Sequence, residues 1–131
     1  MSSQLQAAVE DPTEAIKMVT AGLQWPDAQE LAEWLEVSVS QLGNLLQISP
    51  ATMTRRRKGR FDPAESDRIV RFARLWLLAC DAVGGPAGAR SWLKRPQYGL
   101  RGAVPLDVAR SEVGAREVES LLRRILYGVL A

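Results

Sequence analysis

The amino-acid sequence predicts an all-α fold of about seven helices, and three observations support this prediction. Apolar residues recur every three or four positions along most of the 131 residues, which is the spacing of a helix face that packs on a core. Typical helix-capping residues stand ahead of several of these stretches. No stretch alternates apolar and polar residues convincingly enough to predict a strand.

Composition narrows the classes of function. Apolar residues make up 47% of the chain, which is enough for a hydrophobic core. Histidine, the commonest general base and metal ligand, is absent from the sequence. The one cysteine, Cys80, excludes an internal disulfide and lies in an apolar run, where a buried thiol is expected. We therefore expect no enzyme, no metal site and no cofactor.

Nothing in the sequence predicts a membrane protein. The longest apolar run, residues 75–80, is far shorter than the roughly 20 residues that cross a bilayer. The first residues lack the basic segment and the long apolar stretch of a signal peptide. We expect a cytoplasmic protein without a membrane partner.

The N-terminal part is predicted to begin with disorder and to continue as two helices. Residues 1–12 lack periodicity, so we expect them to be disordered. Apolar residues at helical spacing predict a helix over residues 13–22. A tryptophan–proline pair then interrupts the chain, and a capping box of Asp27 and Glu30 starts a helix over residues 27–36.

Two short helices joined by a tight turn are predicted for residues 38–46 and 49–58, which is the pattern of a DNA-binding helix-turn-helix. Ser38 and Gln41 form a capping signature at the start of the first helix. Gly43 is small enough to let the two helices approach each other. Gln47 occupies the turn position that is usually glycine, where a left-handed backbone costs a larger residue roughly 1 kcal/mol, so an altered turn is the alternative. The predicted apolar anchors are Leu42, Leu46, Ile48 and Met53.

Basic residues are concentrated in the second of these helices. Residues 51–60 carry five basic and no acidic side chains, whereas residues 1–50 carry seven acidic and one basic. A focused basic patch suits an oriented contact with phosphate groups. A solvated surface face and a nuclear-localisation segment are the alternatives. The candidate DNA-contacting residues are Ser49, Ala51, Thr52, Thr54 and Arg55 for base edges, and Arg56, Arg57, Lys58 and Arg60 for phosphates.

A long helix is predicted next, from a capping pair of Asp62 and Glu65 to about residue 83. Its apolar stripe is wide enough to pack on both sides. We expect it to be a central helix that joins a helix-turn-helix domain, residues 13–83, to a small C-terminal helical domain, residues 84–131. The C-terminal part can bury little surface on its own.

The C-terminal part is predicted to hold short helices over residues 87–93 and 105–111 and a last helix from Gly114, with Gly128 as its cap. The last helix, with its apolar end, is either a final piece of the core or a partner-binding surface. Its apolar stripe consists of Val118, Leu121, Leu122, Ile125 and Leu126.

The chain also resembles a known family over roughly residues 20–131. The run GLRGAVPLDVARSEVGAREVESLLRRILYGVLA is similar to the C-terminal toxin-binding domain of the Xre/MbcA/ParS antitoxins. The run LLQISPATMTRRRKG resembles their Xre-like N-terminal part. Leu126, where the family commonly has an acidic residue, and Gln47 depart from the pattern. The matching C-terminal residues are Leu100, Gly102, Pro105, Leu106, Gly114, Val118, Leu121, Leu122, Arg124, Ile125, Tyr127, Gly128 and Val129.

This resemblance implies a type II antitoxin whose partner is a RES-domain toxin that degrades cellular NAD⁺. It also implies that the C-terminal segment blocks the toxin's active site. The N-terminal part would form a homodimer and bind the promoter of its own operon. A stand-alone helix-turn-helix transcriptional regulator, whose C-terminal part only dimerises, is the alternative.

The resemblance places the toxin contacts at the end of the last helix. Arg124 suits a charge-assisted contact, and a surface arginine favoured by the helix dipole is its alternative role. Tyr127 has the chemistry of a binding hot spot, with core packing as its alternative. The candidate toxin-binding residues are Glu119, Arg123, Arg124, Tyr127, Gly128, Val129, Leu130 and Ala131.

Overall fold

The computed structural model describes residues 3–128 of the chain, and this range is helical without any strand. The all-α prediction is confirmed, but the described range holds nine α-helices rather than about seven. The α-helices are α1 (Gln4–Glu10), α2 (Pro12–Ala21), α3 (Trp25–Leu35), α4 (Val39–Leu46), α5 (Pro50–Arg56), α6 (Pro63–Val83), α7 (Pro86–Lys94), α8 (Pro105–Val108) and α9 (Glu112–Leu126), with a 3₁₀-helix, η1 (Tyr98–Leu100), between α7 and α8.

Helix α1 lies in the segment for which the sequence predicts disorder. Ser3 caps it, since its Oγ accepts a hydrogen bond from the backbone N–H of Gln6 at 3.0 Å. Leu5 and Ala8 are fully buried. Two buried residues in a helix of seven are too few to reveal a period, so only the packing of α1 against α2 and α3 identifies this helix.

Capping residues set the start of α3, α4 and α6. The predicted boxes Ser38/Gln41 and Asp62/Glu65 both form, with reciprocal backbone-to-side-chain bonds of 2.7–3.0 Å. The predicted start of α3 at Asp27 is wrong by two residues. Pro26 lies within the first turn, where its missing N–H costs nothing, and the Asp27 carboxylate accepts from the Gln24 N–H at 2.9 Å.

The chain forms two compact units, residues 1–74 and residues 75–131. The predicted division at residues 83/84 coincides with the end of α6, whereas the units divide within that helix. The packing of both domains on the long helix stays a prediction. The largest fully buried side chains of the first unit are Leu5, Leu23, Leu31, Leu35, Leu42, Leu46, Phe61, Ile69 and Phe72, and those of the second are Leu75, Leu93 and Leu100.

Helix α9 begins two residues before the predicted start at Gly114. Ser111 caps it by accepting from the Gly114 N–H at 3.0 Å. A Cβ atom at Gly114 would overlap the backbone carbonyl of Val108, so this glycine allows α8 and α9 to approach closely. The helix ends at Leu126, and Gly128 follows in a left-handed conformation with φ of 65°.

Candidate functional site

Helices α4 and α5 form the predicted helix-turn-helix. Gln47 ends α4 in the left-handed conformation, with φ of 57° and ψ of 42°, so the turn keeps the geometry that glycine usually provides. Its backbone N–H donates to the Asn44 carbonyl at 3.1 Å, and the N–H of Ile48 donates to the Gly43 carbonyl at 2.9 Å. The altered turn that the sequence left open is therefore not adopted. The predicted anchors Leu42, Leu46, Ile48 and Met53 are all buried.

Gly43 lies where α4 meets α5, as predicted. A Cβ atom there would stand 3.1 Å from Met53 Cγ and 3.3 Å from the Ile48 carbonyl oxygen. These distances leave almost no room for a larger residue. The short approach fixes the position of α5 on α4 and thereby the surface that α5 turns outward.

The N-terminal half of α5 presents a polar surface. Ser49 caps the helix, because its Oγ accepts from the Thr52 N–H at 3.2 Å. Arg55 extends beside Thr52, with 3.0 Å between its NH2 and the Thr52 Oγ1. Thr54 donates to the Pro50 carbonyl at 3.0 Å. Apart from the half-buried Thr52, the base-edge candidates are exposed: Ser49, Ala51, Thr54 and Arg55.

Arg56 does not extend freely into solvent. Its Nε donates to Glu65 Oε1 at 2.8 Å, and its NH2 donates to Glu65 Oε2 at 3.3 Å. Asp62 Oδ2 lies 3.9 Å from the same NH2. The hydrogen bond that Arg56 donates to Glu65 raises the pKa of the Arg56 guanidinium above its ordinary value. This bidentate pair ties the end of α5 to the start of α6.

Two other cations of the basic cluster also have partners within the chain. The Arg57 guanidinium lies 4.8 Å from the ring centre of Trp25, which itself stacks on Phe61 at 6.3 Å. Arg60 donates from NH1 to the Gly22 carbonyl at 2.8 Å. Lys58 is exposed and forms no ion pair with any residue that the structure describes. Lys58 and Arg55 are therefore the cations best placed to reach outward.

Glu65 and Trp25 shape this surface in ways that the sequence does not predict. The sequence predicts only a capping role for Glu65, and its carboxylate performs that role as well as binding Arg56. For Trp25 the sequence predicts only an interruption of the chain. No local spacing rule pairs residues nine or more positions apart across a turn, so the sequence held no signal for either contact.

In the second unit, the outer surface of α9 divides into paired and unpaired groups. Glu119 and Arg123 form an ion pair, with 2.8 Å between Oε1 and NH2, and this hydrogen bond raises the pKa of the Arg123 guanidinium. Arg124 is exposed and forms no ion pair with any described residue. Tyr127 is 68% exposed. Val129, Leu130 and Ala131 lie outside the described residues.

The opposite surface of α9 is packed. The predicted stripe residues Val118, Leu121 and Leu122 are buried, whereas Ile125 is half-buried and Leu126 is 36% exposed. The helix is therefore anchored along its middle, and its last turn is open to solvent. Core packing, the alternative role for Tyr127, does not hold.

Residues 3–128 hold no candidate for a membrane-spanning segment or a metal site. No helix of that range is long and apolar enough to cross a membrane. No group of three or more metal-ligating side chains is gathered there.

Both units match known protein families. Residues 14–74 match the sequence model of the antitoxin Xre-like helix-turn-helix domain. Residues 78–128 match the model of the antitoxin Xre/MbcA/ParS C-terminal toxin-binding domain. The first match includes α4, α5 and their turn, and the second includes η1, α8 and α9.

Three curated proteins called Antitoxin Xre are similar to this chain. The protein from Yersinia enterocolitica is 37% identical over 101 residues, which cover 75% of this chain and 68% of that protein. The protein from Photorhabdus laumondii is 39% identical over 75 residues, or 56% of this chain and 51% of that protein. The protein from Pseudomonas putida is 34% identical over 106 residues, or 74% of this chain and 65% of that protein.

Proposed function

Because the chain belongs to the Xre/MbcA/ParS family of antitoxins, we propose that it neutralises a RES-domain toxin that degrades cellular NAD⁺. In this proposal the chain acts by binding and contributes no catalytic step. The end of α9 and the C-terminal tail block the toxin's active site. The proposed contacts are Glu119, Arg123, Arg124, Tyr127, Gly128, Val129, Leu130 and Ala131.

One observation carries this proposal: the family's toxin-binding domain ends in a helix whose last turns carry an unpaired arginine and an exposed tyrosine. Arg124 is exposed and forms no ion pair with any described residue, and Tyr127 is 68% exposed. A guanidinium pairs with a carboxylate in a fixed, two-pronged geometry. A tyrosine offers a large apolar area together with a hydroxyl, and both types are enriched in binding hot spots. Their chemistry suits a pocket that is apolar with an acidic edge.

The neutralising role can be tested by producing the chain together with its toxin in growing cells. We expect the wild-type chain to restore growth and the cellular NAD⁺ level. Deletion of residues 127–131, or the pair Arg124→Ala and Tyr127→Ala, should abolish protection and weaken toxin binding at least about tenfold. Arg116→Ala is the matched control, since Arg116 is an exposed arginine of α9 that pairs with Glu112. Full protection by the deletion would show that the tail does not inhibit.

We further propose that the helix-turn-helix binds the promoter of the chain's own operon and represses it. In this proposal the chain is cytoplasmic and forms a homodimer through its N-terminal part, so the operator has two half-sites. Ser49, Ala51, Thr52, Thr54 and Arg55 are the proposed base-edge contacts. Arg55 and Lys58 extend outward and are the proposed main cationic contacts. The other three arginines also bind residues of the chain, so only the remaining exposed parts of their side chains contact phosphates. These pairs are Arg56 with Glu65, Arg57 with Trp25, and Arg60 with Gly22.

Promoter binding is tested by measuring affinity for the operator and for unrelated DNA over a range of salt concentrations. Arg55→Ala should reduce discrimination between the two, because a bidentate arginine–guanine contact contributes about 1–3 kcal/mol of specificity. Lys58→Ala should weaken both equally and reduce the slope of log K against log salt by about 1. Unchanged mobility shifts for the triple variant Arg55→Ala, Lys58→Ala and Arg60→Ala would rule out DNA binding by this surface.

The stand-alone transcriptional regulator remains the second candidate, and the same experiments separate it from the antitoxin. A regulator would bind its operator but would neither protect cells nor retain the toxin in a pull-down. The match of residues 78–128 to a toxin-binding domain favours the antitoxin.

A further inference from the structure

Tyr98 is the most exposed large apolar side chain of the described residues, with its full surface, 100%, open to solvent. A tyrosine of this kind covers roughly 150–250 Å² when it becomes buried. Single exposed apolar residues are common and need no explanation. The features that distinguish Tyr98 are the rigidity of its loop and the position of that loop beside α9.

The loop that carries Tyr98 is closed by its own backbone. The N–H of Gln97 donates to the Ala103 carbonyl at 3.0 Å, and the N–H of Gly102 donates to the Gln97 carbonyl at 2.9 Å. Leu100 is buried to 1% exposure and anchors the loop from within. Tyr98 is therefore held on a fixed backbone, so that ordering it in a complex costs only the freedom of its own side chain.

Two contacts place this loop alongside α9. A Cβ atom at Gly99 would stand 2.9 Å from the methyl carbons of Leu121, so the backbone there touches α9 directly. Arg101 NH2 lies 2.8 Å from Glu117 Oε1. The loop thus runs opposite to α9, since residue 99 lies beside 121 and residue 101 lies beside 117. Tyr98 precedes Gly99 directly, and Arg124 follows Leu121 by about one helical turn, so both residues are close in sequence to the contact between the loop and α9.

We propose that Tyr98 is a second anchor of the toxin-binding surface, continuous with Arg124 and Tyr127 of α9. This inference rests on the proposed function, and its occupant is the toxin. Tyr98, Arg124 and Tyr127 all belong to the family's toxin-binding domain, and each of them is exposed within the described residues. The complementary toxin surface has an apolar pocket for the Tyr98 ring next to an acidic group that receives Arg124.

Charge disfavours a second copy of the chain as the occupant. Residues 84–131 carry eight basic and four acidic side chains. A symmetric dimer through this face would bring the two unpaired Arg124 guanidinium groups towards each other, and like charges at an interface are unfavourable. An acidic partner surface has the opposite sign and removes that cost.

The test measures toxin affinity of the full-length chain by titration calorimetry, with wild type, Tyr98→Ala, Tyr98→Phe and Ile16→Ala. Ile16 is the matched control, because it is an exposed large apolar residue of the first unit. We expect Tyr98→Ala to weaken binding tenfold or more, and Tyr98→Phe and Ile16→Ala to stay within threefold of wild type. Because Tyr98 is fully exposed, the melting temperature should not change in either Tyr98 variant.

The outcomes separate this inference from the proposed function. If wild type binds the toxin and the Tyr98→Ala variant binds it with the same affinity, the role of Tyr98 is overturned and the antitoxin function stays intact. Absence of toxin binding by wild type would overturn both. If the Tyr98→Ala variant keeps its toxin affinity but loses self-association in light scattering, Tyr98 belongs to a contact between copies of this chain. That result would also overturn the inference.

Discussion

At the scale of single residues, three non-glycine residues in left-handed conformation end helices within the part of the chain that the structure describes. Glu36 ends α3, Gln47 ends α4 and Arg101 ends η1, with φ values of 51°, 57° and 57°. Each backbone N–H there still satisfies a carbonyl of the preceding helix, which offsets part of the steric cost of roughly 1 kcal/mol. At Gln47 the hydrogen bond offsets enough of the steric cost to allow a helix-turn-helix without the usual glycine.

Gln47→Gly should therefore stabilise the protein by about 0.5–1 kcal/mol, because glycine adopts this conformation without the steric cost. Gln29→Gly is the matched control, since Gln29 is an exposed glutamine inside α3 with ordinary helical geometry. We expect that control to lose about 0.5–1 kcal/mol, since glycine weakens a helix interior. Urea unfolding measures both, and destabilisation by Gln47→Gly would contradict the strain argument.

Cys80 is a second residue whose surroundings give a measurable prediction. Burial, with Asp81 adding to the effect and Arg90 opposing it, raises the pKa of the Cys80 thiol above its ordinary value of 9.0. A raised pKa in the folded state means that folding favours the neutral thiol. The thiol's contribution to the free energy of unfolding is therefore complete below about pH 9 and is lost at higher pH. Between pH 8 and pH 10.5, wild type should lose more unfolding free energy than Cys80→Ala. Equal losses would mean that the thiol titrates as in the unfolded chain.

At the scale of elements, the orientation of α5 is set from both ends. Gly43 and Met53 fix its contact with α4, while the pair of Arg56 and Glu65 ties its last turn to the first turn of α6. Glu65 is 7% exposed and also accepts from the Asp62 N–H, so one carboxylate caps α6 and holds α5. A basic residue that the sequence assigns to phosphate thus positions the helix that carries the other basic residues.

A double-mutant cycle of Arg56→Gln and Glu65→Gln should give a coupling energy of about 1 kcal/mol, as expected for a charge-assisted pair that is only partly shielded from water. Both single variants should also weaken operator binding, because α5 loses its second attachment. The matched control is Arg116→Gln with Glu112→Gln, an exposed pair of α9 for which we expect coupling below about 0.5 kcal/mol. Equal coupling in the two cycles would show that Arg56 has no special positioning role.

At the scale of the whole molecule, the two family matches follow the two compact units. The helix-turn-helix match covers residues 14–74 of the unit that ends at Arg74, and the toxin-binding match covers residues 78–128 of the unit that begins at Leu75. The proposed DNA contacts all lie in the first unit and the proposed toxin contacts all lie in the second. The two proposed binding activities therefore use different residues.

Variants of one surface should leave the other activity unchanged. We expect Arg124→Ala with Tyr127→Ala to bind the operator with wild-type affinity, measured without toxin. Conversely, Arg55→Ala with Lys58→Ala should protect cells from the toxin as well as wild type does. Loss of both activities in either variant, with an unchanged melting temperature, would contradict a division of function between the units.

Local signals in the sequence predicted much of the fold. The helical periods of α2, α3, α4, α6 and α9, the capping boxes at Ser38 and Asp62, and the anchors of the helix-turn-helix all follow from residues within one or two helical turns of each other. The sequence did not predict helix α1, because its two buried residues give no period. It did not predict the first turn of α3 either, because Trp25 and Pro26 suit both a chain break and a helix start.

The all-α class, the helix-turn-helix and the family follow from the sequence alone, because they depend on short-range spacing and on motifs that lie along the chain. The availability of the cations depends on folding. Arg56, Arg57 and Arg60 resemble Lys58 in the sequence, but folding brings each of these arginines against a partner from another part of the chain. Folding likewise brought the Tyr98 loop against α9. Contacts between distant positions depend on how helices pack, and no local pattern encodes them.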